Sequence, residues 1–291
     1  MQRLPNEVRI DAGRGGLQRV LVETPQVEAE IYLHGAHVTR FQPRAQKPIL
    51  FMSEKSLFEA GKAIRGGVPI CFPWFGARQD GRPGPAHGFA RLVEWELIGA
   101  EQAGDGNIVV SLRLVSSEGT RKEWDGEFEA DYRVSVGATL GLQLNVRNTG
   151  GQPMRIEEAL HAYLAVSDVR RVGIEGLAGV TFSDRVGMPH TETEGSAPIR
   201  ITAETDRIYL NTQSTCVVED PGWGRRLIVE KFNSNTTVVW NPWIAKAQAL
   251  TDFGDEEWPS MLCIEACNVR EFGVTLAPGE SHMMGAVIRA E

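Results

Sequence analysis

The sequence predicts an all-β protein, a large antiparallel β-sandwich with a few short helices. Three segments within 40 residues, 108–115, 128–136 and 140–147, alternate strictly between apolar and polar side chains. Turn residues follow two of them: Gly137 after the second, and the run 148–151 (Asn-Thr-Gly-Gly) after the third. A period of two is the pattern of half-buried strands, and short turns between such segments favour an antiparallel meander.

The rest of the chain adds many short strands and little helix. Helical patterning is confined to a piece near 53–61 and another at 244–250, and no linker or internal repeat is present. Many strands without a linker indicate one sandwich domain over residues 1–291. The further predicted strands are 19–23, 27–41, 93–100, 155–166, 215–219, 227–232, 237–240 and 274–287.

Composition argues against several classes of partner. The net charge is −8, so the protein as a whole repels polyanions, and we expect no nucleic-acid partner. No apolar run is long enough to span a bilayer, and the N-terminus does not resemble a signal peptide, so we expect no membrane partner. The four cysteines lack zinc-type spacing, which favours reduced, buried thiols in a cytoplasmic protein. The sequence leaves the oligomeric state open.

The segment 64–91, IRGGVPICFPWFGARQDGRPGPAHGFAR, is the most informative stretch. Its glycines and prolines exclude a helix or a central strand, so we expect a long ordered loop. Arg65, Arg78, Arg82 and Arg91 are spread along it among buried aromatic residues. Guanidinium groups bind carboxylates and phosphates, so the cluster indicates a site for a small anion. For any one of these arginines, a solvated surface position is the simpler interpretation.

Two residues could perform acid–base chemistry. If 155–166 is one strand, His161 in EEALHAYL lies on its polar face with Tyr163, in the middle of a large sheet. A structural hydrogen bond to a neighbouring strand explains His161 equally well. Glu265 in MLCIEACNV is enclosed by apolar residues, and burial would raise its pKa toward values useful to a general base. The alternative for Glu265 is a buried salt bridge.

The other polar candidates indicate less. Asp206 in ITAETDRIYLN is, on its own, typical of a turn or cap just before a strand. His34 and His37 are three apart, so on a strand they face opposite sides, and both are interpreted as structural. No group of His, Cys and carboxylate residues has metal-ligand spacing, and we expect neither a metal nor another cofactor.

Taken together, these motifs resemble the aldose 1-epimerase superfamily, most closely its hexose-6-phosphate mutarotase branch. The resemblance implies a galactose-mutarotase-like antiparallel β-sandwich, which agrees with the strands predicted above. The matching motifs follow the family order: IRGGVPICFPWFG at 64–76, PAHGFAR at 85–91, ALHAYL at 159–164, ETDRIY at 204–209, VVWNPW at 238–243 and CIEACNV at 263–269.

The resemblance also implies an activity and a set of site residues. It implies interconversion of the α and β anomers of a hexose 6-phosphate, with glucose 6-phosphate the first candidate, and it requires no cofactor. His161 would be the general acid and Glu265 the general base. The implied substrate contacts are His87 and Asp206 on the sugar, and Arg65 and Arg91 near the phosphate.

The sequence departs from the family pattern at two positions, and two other functions are open. Ala86 stands where some members have Gln, which removes one sugar contact, and Cys267 occupies a region that often contains Gly. One alternative is a mutarotase for unphosphorylated aldoses, against which the additional arginines argue. The other is a non-catalytic sugar-phosphate sensor, which would need no acid–base pair.

Overall fold

The computed structural model describes residues 4–291, and within them antiparallel strands dominate. The strands, numbered along the chain, are Val8–Ala12 (β1), Gln18–Glu23 (β2), Val27–Tyr32 (β3), His37–Pro43 (β4), Ile70–Cys71 (β5), Glu96–Gln102 (β6), Ile108–Val115 (β7), Phe128–Val136 (β8), Leu140–Asn148 (β9), Met154–Ile156 (β10), Glu158–Leu160 (β11), Tyr163–Ala165 (β12), Gly173–Glu175 (β13), Thr181–Asp184 (β14), His190–Thr193 (β15), Thr205–Tyr209 (β16), Cys216–Asp220 (β17), Arg225–Phe232 (β18), Thr236–Asn241 (β19), Met261–Asn268 (β20), Val274–Leu276 (β21) and Ser281–Ala290 (β22). The α-helices are Glu118–Glu123 (α1) and Trp243–Ala249 (α2), and short 3-10 segments lie at Arg14–Gly16, Ala90–Leu92, Trp258–Ser260 and Arg270–Phe272.

Two eight-stranded sheets form the sandwich. One has the order β13-β17-β18-β22-β9-β8-β7-β6. The other has the order β15-β14-β16-β19-β20-β11-β5, with β12 also pairing β20. Buried apolar side chains of both sheets belong to one cluster, so the two sheets share a core. The strands β1 to β4 form a separate four-stranded meander, and β10 pairs β21. The predicted all-β sandwich is confirmed.

The period-2 segments owe their structure to one buried face each. In β8 the residues Phe128, Ala130, Tyr132, Val134 and Val136 are buried, and the residues between them are more exposed. The next strand repeats this alternation, and the register places buried residues of β8 opposite buried residues of β9. A one-residue slip would expose the whole apolar set, so the alternation fixes the register. The predicted bounds of β7 and β8 are confirmed, and β9 is one residue longer.

Long predicted strands divide where the backbone turns. The run 27–41 forms β3 and β4, which are separated by Gly35 and Ala36 with φ of +73° and +47°. The run 155–166 divides into parts of β10, β11 and β12 instead of one strand. The run 274–287 divides around Gly279, whose φ is +80°. A strand cannot continue through left-handed backbone, so hydrophobicity predicted these segments but not their interruptions.

The helix predictions had mixed outcomes. The helix at 244–250 is confirmed by α2, whereas the piece at 53–61 is wrong, because that segment forms turns and bends. Its serine hydroxyls bind the backbone instead: Ser53 Oγ accepts from Lys55 N–H, and Ser56 Oγ accepts from Arg65 N–H. Such bonds compete with helix formation. The short α1 was missed, although Ser117 caps it together with Thr120 in a reciprocal pair of bonds.

The long loop 64–91 is anchored to the sandwich by its aromatic residues. Phe72 packs in the core with its ring centroid 5.0 Å from that of Phe128, and Trp74, Phe75 and Phe89 are also buried. Phe72 forms a parallel bridge with Gly88, and Phe89 N–H donates to the Phe72 carbonyl over 3.0 Å. The loop therefore has a fixed path, as the sequence predicted for an ordered binding loop.

All four cysteines are free and buried, as predicted. A search of the described residues found no helix with the length and hydropathy needed to cross a membrane.

Replacing Gly88 with Ala tests how tightly this loop is built. The φ of Gly88 is +72°, and an added Cβ would overlap the Phe72 carbonyl. Gly81 has nearly the same φ, +73°, but open space around it. Both alanines carry the cost of left-handed backbone, and only Gly88→Ala adds an overlap, which costs about 1–3 kcal/mol more. Denaturant unfolding of both variants measures this difference, and equal losses of stability would contradict the account.

Candidate active site

A cleft of about 270 Å³ opens where the long loop meets the second large sheet. Strands β16, β19 and β20, the turn between β11 and β12, and helix α2 supply its other walls. The lining residues are Arg65, Phe75, Gly76, Ala86, His87, Arg91, His161, Tyr163, Arg185, Asp206, Val238, Trp240, Lys246, Leu250 and Glu265. All six residues that the sequence analysis assigned to catalysis or substrate binding are among them.

His161 and Glu265 are in direct contact in this cleft. His161 Nε2 lies 3.3 Å from Glu265 Oε1. Glu265 is in the middle of β20, where it pairs across the sheet with Val238. The backbone N–H of His161 donates to the Pro69 carbonyl over 3.0 Å. The imidazole stacks on Tyr163, with ring centroids 4.7 Å apart and planes 9° apart.

The imidazole is therefore held by packing on a break between two strands. The prediction that His161 lies within one continuous strand is wrong, because β11 ends at Leu160 and β12 begins at Tyr163. The break lets the His161 side chain reach the carboxylate on the adjacent strand β20.

Burial shifts the two partners in opposite directions. Glu265 is 1% exposed, and desolvation raises the pKa of its carboxyl well above the ordinary value. The nearby Asp206 raises it further, while Arg91 and Arg185 partly oppose this. Burial also lowers the pKa of His161 well below the ordinary value, with His87, Arg91 and Arg65 adding to the effect. Without substrate, the pair therefore favours a neutral imidazole beside a protonated carboxyl.

Each partner keeps one buried polar atom without a hydrogen bond among the described residues. These atoms are His161 Nδ1 and Glu265 Oε2. Leaving a buried polar atom without a hydrogen bond costs free energy. Such an atom in a cleft therefore indicates that a bound ligand supplies the missing hydrogen bond.

His87 is held as a hydrogen-bond donor. Its Nδ1 accepts the Gly76 N–H over 3.3 Å and lies 3.5 Å from Cys71 Sγ. With Nδ1 as the acceptor, the neutral ring carries its proton on Nε2. Burial and the nearby arginines lower the pKa of His87 well below the ordinary value, which keeps the ring neutral. The backbone of His87 is left-handed, with φ of +66°, and its N–H donates to the Gly76 carbonyl over 2.7 Å.

Asp206 lies within β16, opposite Trp240 on β19. The interpretation of this residue as a turn or cap is wrong, because the strand begins one residue earlier, at Thr205. Partial burial raises the pKa of its carboxyl, and Arg185 and Lys246 partly offset the rise. Asp206 lines the cleft, so its carboxylate can accept hydrogen bonds from a ligand there.

The two predicted phosphate contacts differ in their surroundings. Arg65 forms a bidentate pair with Asp252, with N···O distances of 3.0–3.2 Å, and donates to the Tyr163 hydroxyl over 3.1 Å. Arg91 is 8% exposed and donates through Nη2 to the Ala86 carbonyl over 2.9 Å, while its buried Nε has no partner among the described residues. Most of the hydrogen-bonding capacity of Arg65 is thus already used, whereas that of Arg91 is not.

The other two arginines of the long loop do not reach the cleft. Arg78 and Arg82 both bind Asp80, which lies two residues from each. The Arg82 side chain is exposed, whereas the Arg78 side chain is 4% exposed and lies over the Trp74 ring. For these two arginines the expectation of a shared anion site is wrong, because neither lines the cleft and both pair with a local carboxylate.

Sequence reasoning missed several residues of the site. Arg185 follows β14, Lys246 lies on α2, and Asp252 follows α2, far along the chain from the motifs around them. Only the VVWNPW motif gave a signal, because it contains Trp240, whose ring meets both His161 and Tyr163 edge-on. Pairings between distant segments carry no local sequence pattern.

One group of side chains has the composition of a metal site. Ligand atoms of His161, Cys263 and Glu265 all lie within 4.8 Å of one another. The sequence spacing did not reveal this group, because the fold brings His161 to β20 from about 100 residues away. Burial and Glu265 raise the pKa of the Cys263 thiol well above its ordinary value. A metal would have to displace this thiol proton before Cys263 could bind it, so metal binding here would depend on pH.

Comparison with known proteins places the chain among sugar epimerases. A family model described as aldose 1-epimerase matches residues 18–288. Proteins named "putative glucose-6-phosphate 1-epimerase" from Cenchrus ciliaris and Escherichia coli are 36% and 34% identical to it. The alignments cover 91% and 88% of this chain and 82% and 84% of those proteins.

Solved structures agree with these relatives. The crystal structure of a "putative mutarotase" from Salmonella typhimurium is 30% identical and has a TM-score of 0.89, covering 100% of this chain and 95% of that one. A galactose mutarotase-like protein from Clostridium acetobutylicum has a TM-score of 0.75 at 16% identity and 98% coverage of both chains, which shows a shared fold.

Histidine titration tests the electrostatics of the cleft. In the ligand-free protein, His161 and His87 should become charged only below the ordinary pKa of about 6.5, because burial and nearby cations disfavour the imidazolium. His282 should titrate above that value, because Glu158 accepts a hydrogen bond from it and stabilises its charge. NMR titration, assigned with His87→Asn, His161→Asn and His282→Asn, measures all three. A His161 pKa at or above 6.5 would contradict the neutral pair.

Chelation tests the interpretation of the metal-like group. Because a metal would have to displace the thiol proton of Cys263, we expect catalysis by this cleft to be unchanged after exhaustive treatment with EDTA. The control is the same protein with zinc added back. A loss of activity that zinc reverses would show that His161, Cys263 and Glu265 hold a functional metal.

Proposed function

We propose that this chain, which belongs to the aldose 1-epimerase family, interconverts the α and β anomers of a hexose 6-phosphate, with glucose 6-phosphate as the first candidate substrate. The observation that carries the proposal is the buried contact between His161 and Glu265 on a cleft walled by cationic side chains. The base can remove a proton from one oxygen of the sugar while the acid donates a proton to another. The cationic side chains of the cleft favour an anionic sugar.

The reaction requires one proton to leave and one to arrive. In ring opening, Glu265 takes the proton of the C1 hydroxyl, O1 becomes a carbonyl oxygen, and the bond between C1 and the ring oxygen breaks. His161 gives its proton to the ring oxygen. After rotation about the C1–C2 bond, the steps reverse on the other face of the carbonyl. The protein ends with the protons it began with, so no redox cofactor or metal takes part.

The shared proton explains why the two groups are buried together. Opening of the sugar ring requires His161 as the imidazolium and Glu265 as the carboxylate. The reaction converts these side chains to the neutral imidazole and the protonated carboxyl. The pKa directions of the empty cleft already favour the neutral pair, which is the form that accompanies the open-chain aldehyde. Both forms hold one proton in total, so the cleft need not exchange protons with solvent during turnover.

The remaining site residues are proposed to hold the sugar. The neutral His87 would donate from Nε2 to a ring or hydroxyl oxygen, and Asp206 would accept from sugar hydroxyls. Trp240 offers an apolar surface beside His161. Arg65 and Arg91, which the resemblance places near the phosphate, line the same cleft and support an anionic substrate.

We also propose a cytoplasmic location. Its support is the four buried, free cysteines, because reduced thiols persist in reducing compartments.

Removing either member of the pair should remove most of the activity. Glu265→Gln keeps the shape of the side chain, and His161→Asn replaces the imidazole with a smaller amide. Neither new side chain can exchange the proton, so each variant should lower kcat for glucose 6-phosphate about 10²–10⁴-fold. Polarimetry of freshly dissolved α anomer, corrected for the spontaneous rate, measures this loss. If the residues act as one unit, the double variant should lose no more than the single ones.

The matched control for this test is another buried glutamate. Glu158 on β11 is fully buried but binds Asn268 and His282 instead of His161. Glu158→Gln should lower thermal stability and leave kcat unchanged. Wild-type turnover by Glu265→Gln would refute the base assignment.

A further inference from the structure

Two arginines outside the predicted motifs converge on Gly76, a residue that lines the cleft: Arg185 lines the same cleft, and Arg270 lines a second cavity. A Cβ placed on Gly76 would lie 3.7 Å from Nη2 of Arg185 and 3.7 Å from Nη2 of Arg270. The two nitrogens are therefore at most about 7.4 Å apart. Apart from Gly76 and its two chain neighbours, no described heavy atom lies closer to that Cβ position than these guanidinium nitrogens.

Neither guanidinium group has a partner in the part of the chain that the structure describes. The hydrogen bonds formed by Arg185 and Arg270 use their backbone groups only, and no carboxylate oxygen lies within 4.0 Å of either guanidinium group among residues 4–291. Arg65 is by contrast paired with Asp252. Two unpaired like charges held close together repel each other, and an anion between them would remove that cost.

The backbone of each arginine is fixed in place. The Arg185 N–H donates to the Asp206 carbonyl over 2.9 Å, at the end of β14. The Arg270 N–H donates to Glu157 Oε1 over 2.6 Å, and the other oxygen of Glu157 accepts the Phe75 N–H over 2.9 Å. One buried carboxylate thus ties the loop that contains Gly76 to the turn that contains Arg270. The backbone positions from which both side chains extend toward Gly76 are therefore held by hydrogen bonds.

The position of this pair suits a phosphate better than the deep end of the cleft does. Arg185 and Arg270 are half-buried, and Ala77, next to Gly76, is exposed, so this wall opens to solvent. Arg91 is instead almost fully buried beside Glu265 and His161. Burying a dianion is costly unless every oxygen is matched, whereas a phosphate at the opening stays partly hydrated. The uncharged C1 end of the sugar would then lie deep, at the acid–base pair.

We propose that Arg185 and Arg270 together bind the phosphate group of the substrate, across the space left by Gly76. The proposal rests on the proposed epimerase function and names the residues that recognise the phosphate. The dimensions agree: bonds of about 2.8 Å from two nitrogens to neighbouring oxygens of one phosphate allow the nitrogens to be up to roughly 8 Å apart. Arg185, His161 and Glu265 line the same cleft of about 270 Å³, so one bound sugar phosphate can contact Arg185 and the catalytic pair together.

The substrate ratio is the direct test of this site. Anomerisation of glucose 6-phosphate and of free glucose is measured for wild type, Arg185→Ala, Arg270→Ala and the double variant, after subtraction of the spontaneous rates. Each single variant should lose about ten- to a hundred-fold in kcat/KM for glucose 6-phosphate and less than threefold for glucose. Arg185→Lys should recover only part of the loss, because an ammonium cannot bind two oxygens in one plane.

A matched control separates contact from general charge. Arg147 is exposed on β9 and, among the described residues, forms no ion pair, so Arg147→Ala removes one positive charge far from the proposed contact. It should leave the substrate ratio unchanged. An unchanged ratio in Arg185→Ala and Arg270→Ala would overturn the proposal. So would a larger change in Arg65→Ala or Arg91→Ala, which would place the phosphate at the deep end.

Binding of inorganic phosphate distinguishes failure of this site from failure of the epimerase function. Calorimetry should show phosphate binding to wild type and at least tenfold weaker binding to the Arg185→Ala/Arg270→Ala variant. If wild type does not accelerate anomer exchange but still binds phosphate through these arginines, the epimerase function fails and the anion site stands. If the double variant binds phosphate as tightly as wild type, the anion site is wrong whatever the activity.

Discussion

The contact between His161 and Glu265 is the constraint on which the rest of the site depends. Burying a carboxylate beside an imidazole, with one polar atom of each left without a partner among residues 4–291, is costly unless the two groups share a proton. Packing of the surrounding residues holds both side chains in this arrangement. Tyr163 stacks on the imidazole, and the strand that carries Glu265 is buried along its whole length. The surrounding core thus holds the pair in a position that favours chemistry over stability.

The cleft exists because the second sheet is irregular where the long loop crosses it. Strands β11 and β12 are three residues each, and the break between them presents His161 to β20. Glu157, one residue before β11, binds the backbone of both Phe75 and Arg270 and so holds two loops against the sheet. In a regular strand these backbone groups would bind a neighbouring strand instead. Rigid strands supply Glu265, Asp206 and Trp240, and the tied loops supply the groups that complete the cleft.

The sequence predicted the features that local patterns encode. Alternation gave β7, β8 and β9 almost residue by residue, because one face of each strand is buried. The apolar enclosure of Glu265 correctly indicated a buried carboxylate. The resemblance to a family supplied the six residues that the fold brings to one cleft. It also predicted a sugar contact for Asp206, which local reasoning had interpreted as a turn or cap residue.

What the sequence could not supply is pairing between distant segments. Nothing near Arg65 reveals that Asp252, 187 residues away, neutralises it. Asp80 is close to Arg78 in the sequence, but only the fold shows that Arg78 binds this carboxylate instead of facing the cleft. Arg185 and Arg270 lie in unremarked turns and meet only through the path of the long loop. The strand that was expected to continue through His161 fails for the same reason, since its break depends on tertiary contacts with Pro69 and β20.

The most direct measurement of the central claim is anomer exchange at equilibrium. Two-dimensional exchange NMR of an equilibrated glucose 6-phosphate solution reports the α-to-β rate without any net reaction or coupling enzyme. The account predicts that catalytic amounts of the protein raise this rate in proportion to their concentration and leave the anomer ratio unchanged. A rate equal to the spontaneous one at every protein concentration would contradict the account.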